Sequence, residues 1–363
     1  MTGPLASLQV IEFAGLGPAP LAGQLLADMG ADVITIDRAK APRDPTDVNR
    51  RGKRSIVLDL KSAQDLKTAQ ALIARADVLI EGFRPGVMER LGLGPDTCPG
   101  RLIYARMTGW GQTGPLKARA GHDLNYLAVT GALHAMGPAD RPPPVPLNLI
   151  ADYGGGSMFL LFGILCAVIE RGVSGKGQVV DAAMVDGVPA MMGLIHSLLA
   201  RGDWSESRES NWLDGAAPFY RCYTCADGKF IAVGALEPQF YAELIERSGL
   251  PEALKSEQNN KALWPERRAV FARHFATKDR DTWAALFDGS DACVAPVLTF
   301  DEAAKHPINI ARGVFQDVGG VMQAAPAPRF SRSTARPPEH PTAAGHHSEK
   351  VLSDLNLTLK EDE

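Results

Sequence analysis

The sequence predicts an α/β protein: a Rossmann-like, parallel-sheet large domain joined to a small α+β domain. Three observations predict it. The N-terminal segment reads strand, turn, helix, strand, which is the repeating unit of a parallel sheet. Short apolar strands then alternate with helical spacing as far as Ala182. Beyond Arg201 the texture changes to a hairpin followed by helices.

Residues 8–13 (Leu-Gln-Val-Ile-Glu-Phe) form the first strand, and 15–20 a glycine–proline turn. Apolar spacing makes 21–29 a helix that stops at Gly30, and 31–36 is the second strand. Residues 54–58 are extended, Ala63–Arg75 helical, and 76–81 and 102–107 the next parallel strands. The proline-rich stretch 138–146 is a loop, and 152–157 a glycine-rich turn into an apolar helix from Met158. A short strand at 178–182 precedes a helix over 184–199, kinked or started at Pro189. Residues 219–225 and 230–233 flank Asp227-Gly228, the strongest short hairpin signal. Helices follow at 239–248 and 268–276, and 326–341 is a proline-rich, basic surface strap. The large domain is therefore 1–185, completed by 312–363, and the small domain is 205–295. The linkers are 186–204 and 296–311.

The 363 residues carry 38 Lys+Arg against 42 Asp+Glu, a net charge of −4. With no basic excess, the chain is not expected to bind nucleic acid or a membrane surface by charge. Five cysteines, at 98, 166, 222, 225 and 293, are too few and too odd for a secreted disulfide framework. Cys222 and Cys225 lack the second ligand pair that zinc requires, so no metal is expected. The first residues show no basic region followed by an apolar core. The longest apolar run, 158–169, is broken by Gly163 and is too short for a bilayer span. A soluble protein of a reducing compartment, most simply the cytoplasm, is expected.

Gly15-Leu16-Gly17 follows a strand and opens a helix, with Asp37-Arg38 after the next strand. This mimics a dinucleotide fingerprint, with Asp37 for a ribose or Arg38 for a phosphate. Pro20 occupies the third glycine's position and has no N–H to offer a pyrophosphate. A plain tight turn is the better reading. Arg38 still stands at a strand's C-terminal end, where open α/β sheets place ligands.

Two polar clusters carry chemistry. Gly121-His122-Asp123-Leu124-Asn125-Tyr126 precedes an apolar helix, and Asp152 heads Gly154-Gly155-Gly156 with Asn148 upstream. Each has a bland alternative, since Asp and Asn are favoured helix caps. The sharper reading pairs an imidazole and a carboxylate as acid and base, with N–H groups of the glycine turn stabilising an oxyanion. Glu237 stands between a strand and a helix of the small domain. Eight basic residues, Arg38, Arg50, Arg51, Lys53, Arg54, Lys61, Arg84 and Arg90, could together cradle a polyphosphate.

Three longer motifs resemble family III CoA-transferases: residues 51–61 (Arg-Gly-Lys-Arg-Ser-Ile-Val-Leu-Asp-Leu-Lys), 76–86 (Ala-Asp-Val-Leu-Ile-Glu-Gly-Phe-Arg-Pro-Gly) and 175–184 (Gly-Lys-Gly-Gln-Val-Val-Asp-Ala-Ala-Met). Within that superfamily, Gly-His-Asp-Leu-Asn-Tyr, Asp-Tyr-Gly-Gly-Gly-Ser-Met and Gly-Ala-Leu-Glu-Pro-Gln-Phe-Tyr resemble the α-methylacyl-CoA racemases. The resemblance implies His122 and Asp152 as the acid/base pair, Asn148 assisting Asp152, and Glu237 as a supporting carboxylate. It implies CoA contacts from Arg38, Leu58, Lys61, Gly82, Phe83, Arg84 and Arg90, and from Gly121, Asp123, Leu124, Asn125 and Tyr126. It also implies an interlocked homodimer and no cofactor apart from CoA, which is part of the substrate. The expected activity is interconversion of (2R)- and (2S)-2-methylacyl-CoA through an enolate. The alternatives are a CoA-transferase with Asp152 as nucleophile, an NAD(P)-dependent dehydrogenase, and a non-catalytic CoA-binding protein. His122 and Glu237 favour the racemase. Met158, Met191 and Met192 are candidates for an adaptable acyl surface, with a core role the plainer reading.

Overall fold

The structure is a computed structural model and describes residues 3–39 and 44–355. It divides into two compact units. The first comprises Met1–Thr130, Pro146–Met191 and Pro307–Glu363, and the second Gly131–Val145 and Met192–His306.

The first unit is built on β1 (Gln9–Phe13), α1 (Pro18–Asp28), β2 (Asp32–Asp37), β3 (Arg54–Val57), α2 (Ala63–Arg75), β4 (Val78–Glu81) and β5 (Ile103–Thr108). It continues with α3 (Asp123–Ala128), α4 (Leu149–Ser157 running into Met158–Ser174), β6 (Val179–Ala183) and α5 (Met184–Met191). The six strands form one sheet in the order β3-β2-β1-β4-β5-β6, and every pairing is parallel. The order reverses direction between β1 and β4, which is the switch point where such sheets open a ligand crevice. Val10, Ile36, Ile56, Leu79 and Ile103 are almost wholly buried. Burial on both faces is why these strands read as apolar runs rather than alternations. Phe315–Val318 and Val321–Ala324 add a small antiparallel hairpin. The strap beyond it has no regular structure, and Arg336 ties it to the Gly52 carbonyl at 3.1 Å.

α4 departs from expectation. Residues 152–157 are not a turn: Leu149–Ser157 is a π-helical stretch continuous with the α-helix that follows. The glycines serve helix packing. A Cβ on Gly155 would lie 2.9 Å from the backbone nitrogen of Val188, and one on Gly187 2.0 Å from the Gly155 carbonyl oxygen. Gly155 and Gly187 thus let α4 and α5 touch backbone to backbone, while Gly154 and Gly156 leave room for the Met191 and Met184 side chains. The same winding corrects the length of the apolar segment. Leu149–Ser174 makes 26 residues, long and apolar enough by length and composition to cross a membrane, with a third of its most apolar stretch buried. The helix expected over 184–199 is likewise two, because the chain breaks at Met192 and Pro189 sits inside α5.

The second unit contains α6 (Gly193–Arg201), β7 (Tyr220–Thr224), β8 (Phe230–Gly234), α7 (Pro238–Ser248), α8 (Trp264–Phe275), α9 (Arg280–Phe287) and β9 (Val294–Pro296). Its sheet is antiparallel in the order β7-β8-β9. Gly228 has φ of 76°, the left-handed conformation that closes the three-residue loop 226–228 between the paired Cys225 and Lys229. The core is aromatic: Phe219, Tyr241, Trp264, Phe271, Phe275 and Trp283 are buried together. Residues 131–145, 192–204 and 296–306 belong to this unit.

Candidate active site

A cavity of about 600 Å³ opens in the first unit at the C-terminal ends of β1, β2, β3 and β4. Arg38, Leu58, Lys61 and Phe83 line it, together with Phe13 and Leu91. It stands at the switch point of the sheet, and its mixture of apolar wall and cationic rim suits a ligand with a ring and phosphates. Gly82 lies just before Phe83, where a Cβ would sit 3.7 Å from both Ala19 and the Met107 carbonyl oxygen. Arg84 and Arg90 are exposed and are not in the cavity's lining.

The eight basic residues divide in two. Arg50 is paired with Asp37 at 2.7 Å, Arg51 with Asp28 at 2.6 Å, Lys53 with Glu12 at 2.7 Å and Arg54 with Asp32 at 2.5 Å. These four brace the sheet and α1 and are not free to cradle a polyphosphate, which corrects the wider expectation. Arg38, Lys61, Arg84 and Arg90 form no ion pair among the described residues. Asp37 is also spoken for: it is 1% exposed, bonded to Arg50 and to the Ser55 hydroxyl. It cannot take a ribose, which removes the second half of the dinucleotide pattern.

His122 and Asp152, the pair expected to act as acid and base, lie where α3, α4 and the β1–α1 turn meet. His122 is the N-cap of α3 and is exposed, its backbone N–H donating to Asn125 Oδ1 at 3.1 Å. Asp123 turns inward, and its Oδ2 accepts the N–H groups of Ala151 and Asp152, each at 2.8 Å. Asp152 itself faces Gly17: a Cβ added there would stand 3.5 Å from its Oδ2. Gly17, at φ 74°, caps α1, so the carboxylate approaches backbone rather than a side chain. Burial pushes the Asp152 carboxyl up to about 6, the Asp123 charge pushes the same way, and His122 pulls it down. A carboxyl held there changes protonation state close to neutral pH, as a general acid or base must.

Asp123 and Tyr126, expected as ligand contacts, also anchor the loop. The Tyr126 hydroxyl donates to the Gly121 carbonyl oxygen, and its ring stands edge-on to Trp110 at 4.8 Å. A Cβ on Gly121 would strike that ring at 2.6 Å. Leu124 and Asn125 remain exposed. The glycine N–H groups expected to hold an oxyanion lie inside the π-helical stretch, and the N–H groups at its start are taken by Asp123. Asn148 caps that stretch, and among the described residues no hydrogen bond joins its amide to Asp152. Gly17 was legible in the Gly-Leu-Gly turn, but its partner proves to be the Asp152 carboxylate. In the second unit Glu237 is the exposed N-cap of α7.

Residues 5–348 match the sequence profile of CoA-transferase family III. The chain belongs to that family. Among the relatives of this family III chain is the α-methylacyl-CoA racemase of Mus musculus, 44% identical over 98% of this chain and 94% of the relative. The Homo sapiens racemase is 43% identical over the same shares. A solved CaiB/BaiF family protein from Brucella suis superposes with a TM-score of 0.82 at 26% identity, covering 98% of this chain and all of that one.

Proposed function

We propose that the protein is an α-methylacyl-CoA racemase, interconverting (2R)- and (2S)-2-methylacyl-CoA by proton transfer at carbon 2. The observation that carries this reading is Asp152, a carboxyl lifted to about 6 with His122 beside it. One of the pair, unprotonated, takes the proton from carbon 2, and the electron pair left behind spreads onto the thioester oxygen as an enolate. The other, protonated, delivers its proton to the opposite face, so the two groups exchange protonation states over one turnover. Each pKa unit of mismatch between such groups is worth about 1.4 kcal/mol, so a carboxyl raised towards an imidazole lowers the barrier.

CoA enters as part of the substrate, and the reaction requires no separate cofactor. Arg38 and Lys61, with Arg84 and Arg90, are the cations available to its phosphates, and Leu58 and Phe83 the apolar surface for its adenine. A CoA-transferase would need Asp152 as an anionic nucleophile. A CoA-transferase on this site would leave His122 without a task.

We propose further that two chains form an interlocked homodimer in the cytoplasm, with Asn148 and Glu237 supporting the acid–base pair, Glu237 from a second copy. Phe162, Ile169 and Val173 support the dimer: they lie along one face of α4 and are 67%, 73% and 91% exposed. All five cysteines are free thiols, in keeping with a reducing compartment.

The deciding experiment is proton NMR of one enantiomer of 2-methylbutanoyl-CoA with the enzyme in deuterated water. Deuterium at carbon 2 together with formation of the other enantiomer is the expected result. CoA passing to an added carboxylic acid without exchange would establish the transferase.

A further inference from the structure

β3 is an edge strand of the six-stranded sheet, and an edge leaves backbone N–H and C=O groups to be covered. Here residues 342–348 of the C-terminal segment cover it. His347 and Ser55 face each other as paired strand residues would, except that a side chain replaces one carbonyl. The Ser55 N–H donates to Nδ1 of His347 at 3.2 Å, and the His347 N–H donates to the Ser55 carbonyl oxygen at 3.0 Å. We propose that His347 is a positioning residue for the cavity at the ends of β2 and β3, holding β3 where Leu58 and Lys61 meet the ligand. This rests on the reading of that ligand as a CoA thioester.

The hydrogen bonds run from the segment to the cavity. Ser55 Oγ accepts the Gly345 N–H at 2.8 Å and donates to Asp37 Oδ2 at 2.5 Å. Arg50 holds the same carboxylate at 2.7 Å, and its Nε donates to the Thr342 carbonyl oxygen at 3.1 Å. The Leu58 N–H donates to the Asp37 carbonyl oxygen at 3.0 Å, which ties the ends of β2 and β3 together. Arg38 follows Asp37 and Leu58 follows Val57, and both line the cavity. The fit of the segment on β3 is close: Gly345 has φ of 79°, and a Cβ there would stand 3.0 Å from the Val57 side chain.

The imidazole accepts from Ser55 only while Nδ1 carries a lone pair, that is, as the neutral tautomer protonated on Nε2. Burial favours the neutral ring, His346 and Arg54 push the same way, and Glu339 opposes them, so that the pKa lies below the ordinary 6.5. Removing the acceptor orphans the N–H of Ser55, a residue that is 1% exposed. β3 then leaves its binding position for part of the time. The apparent dissociation constant rises as the competent fraction falls, while substrate once bound reacts as before. Asparagine keeps an acceptor, because its Oδ1 reaches the place of Nδ1; alanine has none.

Calorimetric titration with free CoA tests this in wild type, His347→Asn and His347→Ala, each checked for fold by circular dichroism. Alanine should weaken binding about five- to tenfold, and asparagine should stay within about twofold of wild type. With 2-methylbutanoyl-CoA, KM should rise by the same factor in the alanine variant and kcat should stay within about twofold. Equal affinity in all three proteins, or equal losses in both variants, would overturn the proposal. A second measurement needs no variant and so stands even where alanine prevents folding. Coupling is reciprocal, so CoA must tighten the segment that tightens its site. In wild type, CoA should slow amide hydrogen exchange at Ser55, Gly345 and His347 more than in β6, although none of the three lines the cavity. Slowing no greater than in β6 would also refute the role of His347. Wild type that binds CoA with these effects but leaves carbon 2 unexchanged would refute the racemase reading alone. Wild type that binds no CoA would remove the CoA reading and this role with it.

Discussion

Asp123 acts on Asp152 in two ways: its Oδ2 accepts the Asp152 N–H at 2.8 Å, and its negative charge helps raise the Asp152 carboxyl to about 6. One side chain thus sets both the position and the proton affinity of its neighbour. Asp123→Asn separates the two effects, since an amide oxygen still accepts both N–H groups while the charge is gone. The Asp152 pKa should fall towards the ordinary carboxylate range. The acidic limb of the pH profile for deuterium exchange should move to lower pH, with the fold kept. Asp123→Ala, which orphans the buried Ala151 N–H, should in addition lose about 1–3 kcal/mol of stability. A limb that moves to higher pH in the Asn variant would contradict this relationship.

The raised carboxyl has a consequence for stability. A carboxyl whose folded pKa exceeds its unfolded value binds more protons in the folded state between those two values. Folding stability from this group therefore falls as pH rises from the ordinary carboxyl value of 3.8 to about 6, and the penalty persists above that. Asp152→Asn removes the charge without removing the backbone bond to Asp123. It should raise the unfolding free energy by about 1–3 kcal/mol at pH 7.5 and by almost nothing below pH of about 4. Urea unfolding at the two pH values checks it, and a variant equally stabilised at both would show that burial of charge is not the cause.

Arg38 and Arg51 should behave oppositely when shortened. Arg51 is buried against Asp28 and also bonded to Gln323 and the Ala324 carbonyl oxygen at 2.7 Å each. Arg51→Ala leaves a buried carboxylate uncompensated and should destabilise by about 3–5 kcal/mol. Arg38 is exposed on the cavity rim, so Arg38→Ala should leave stability within about 0.5 kcal/mol. It should raise KM for the CoA ester several-fold with little change in kcat, because a phosphate contact is the same in ground and transition states. Lys61→Ala should follow Arg38. Thermal unfolding and steady-state kinetics on the two variants decide the matter.

The parallel sheet was legible because its strands are buried on both faces and so stand out as short apolar runs. The Asp227-Gly228 hairpin was legible from the turn itself. What escaped depended on partners far along the chain. Gly154-Gly155-Gly156 looks like a turn until Gly187 and Val188 are seen pressing against it. Nothing local marks Arg50 as structural and Lys61 as free: the difference is Asp37, 13 residues back at the end of β2. β9 is three residues long and ends in Pro296, which hides it from any strand pattern. In the candidate site, residue type and resemblance single out His122 and Asp152. The role of Asp123 needed the geometry, because only the fold brings its carboxylate to the start of α4.

The last prediction concerns the two bases themselves. If His122 serves one face of carbon 2 and Asp152 the other, each is needed to take the proton from one enantiomer only, while conversion needs both. His122→Ala should therefore lose racemisation of both enantiomers by about 10²–10⁴-fold, the usual worth of a positioned acid or base. It should keep deuterium exchange from the enantiomer whose proton faces Asp152. Asp152→Asn should show the reverse bias, and it is preferred to alanine because it retains the shape and the backbone contacts at the start of α4. Circular dichroism on both variants establishes the fold before exchange is compared. In either variant the surviving exchange should proceed without inversion, because the acid on the opposite face is missing. A folded His122→Ala protein that racemises near the wild-type rate would remove the two-base mechanism. Exchange lost equally from both enantiomers in both variants would point instead to a single base acting with a mobile enolate.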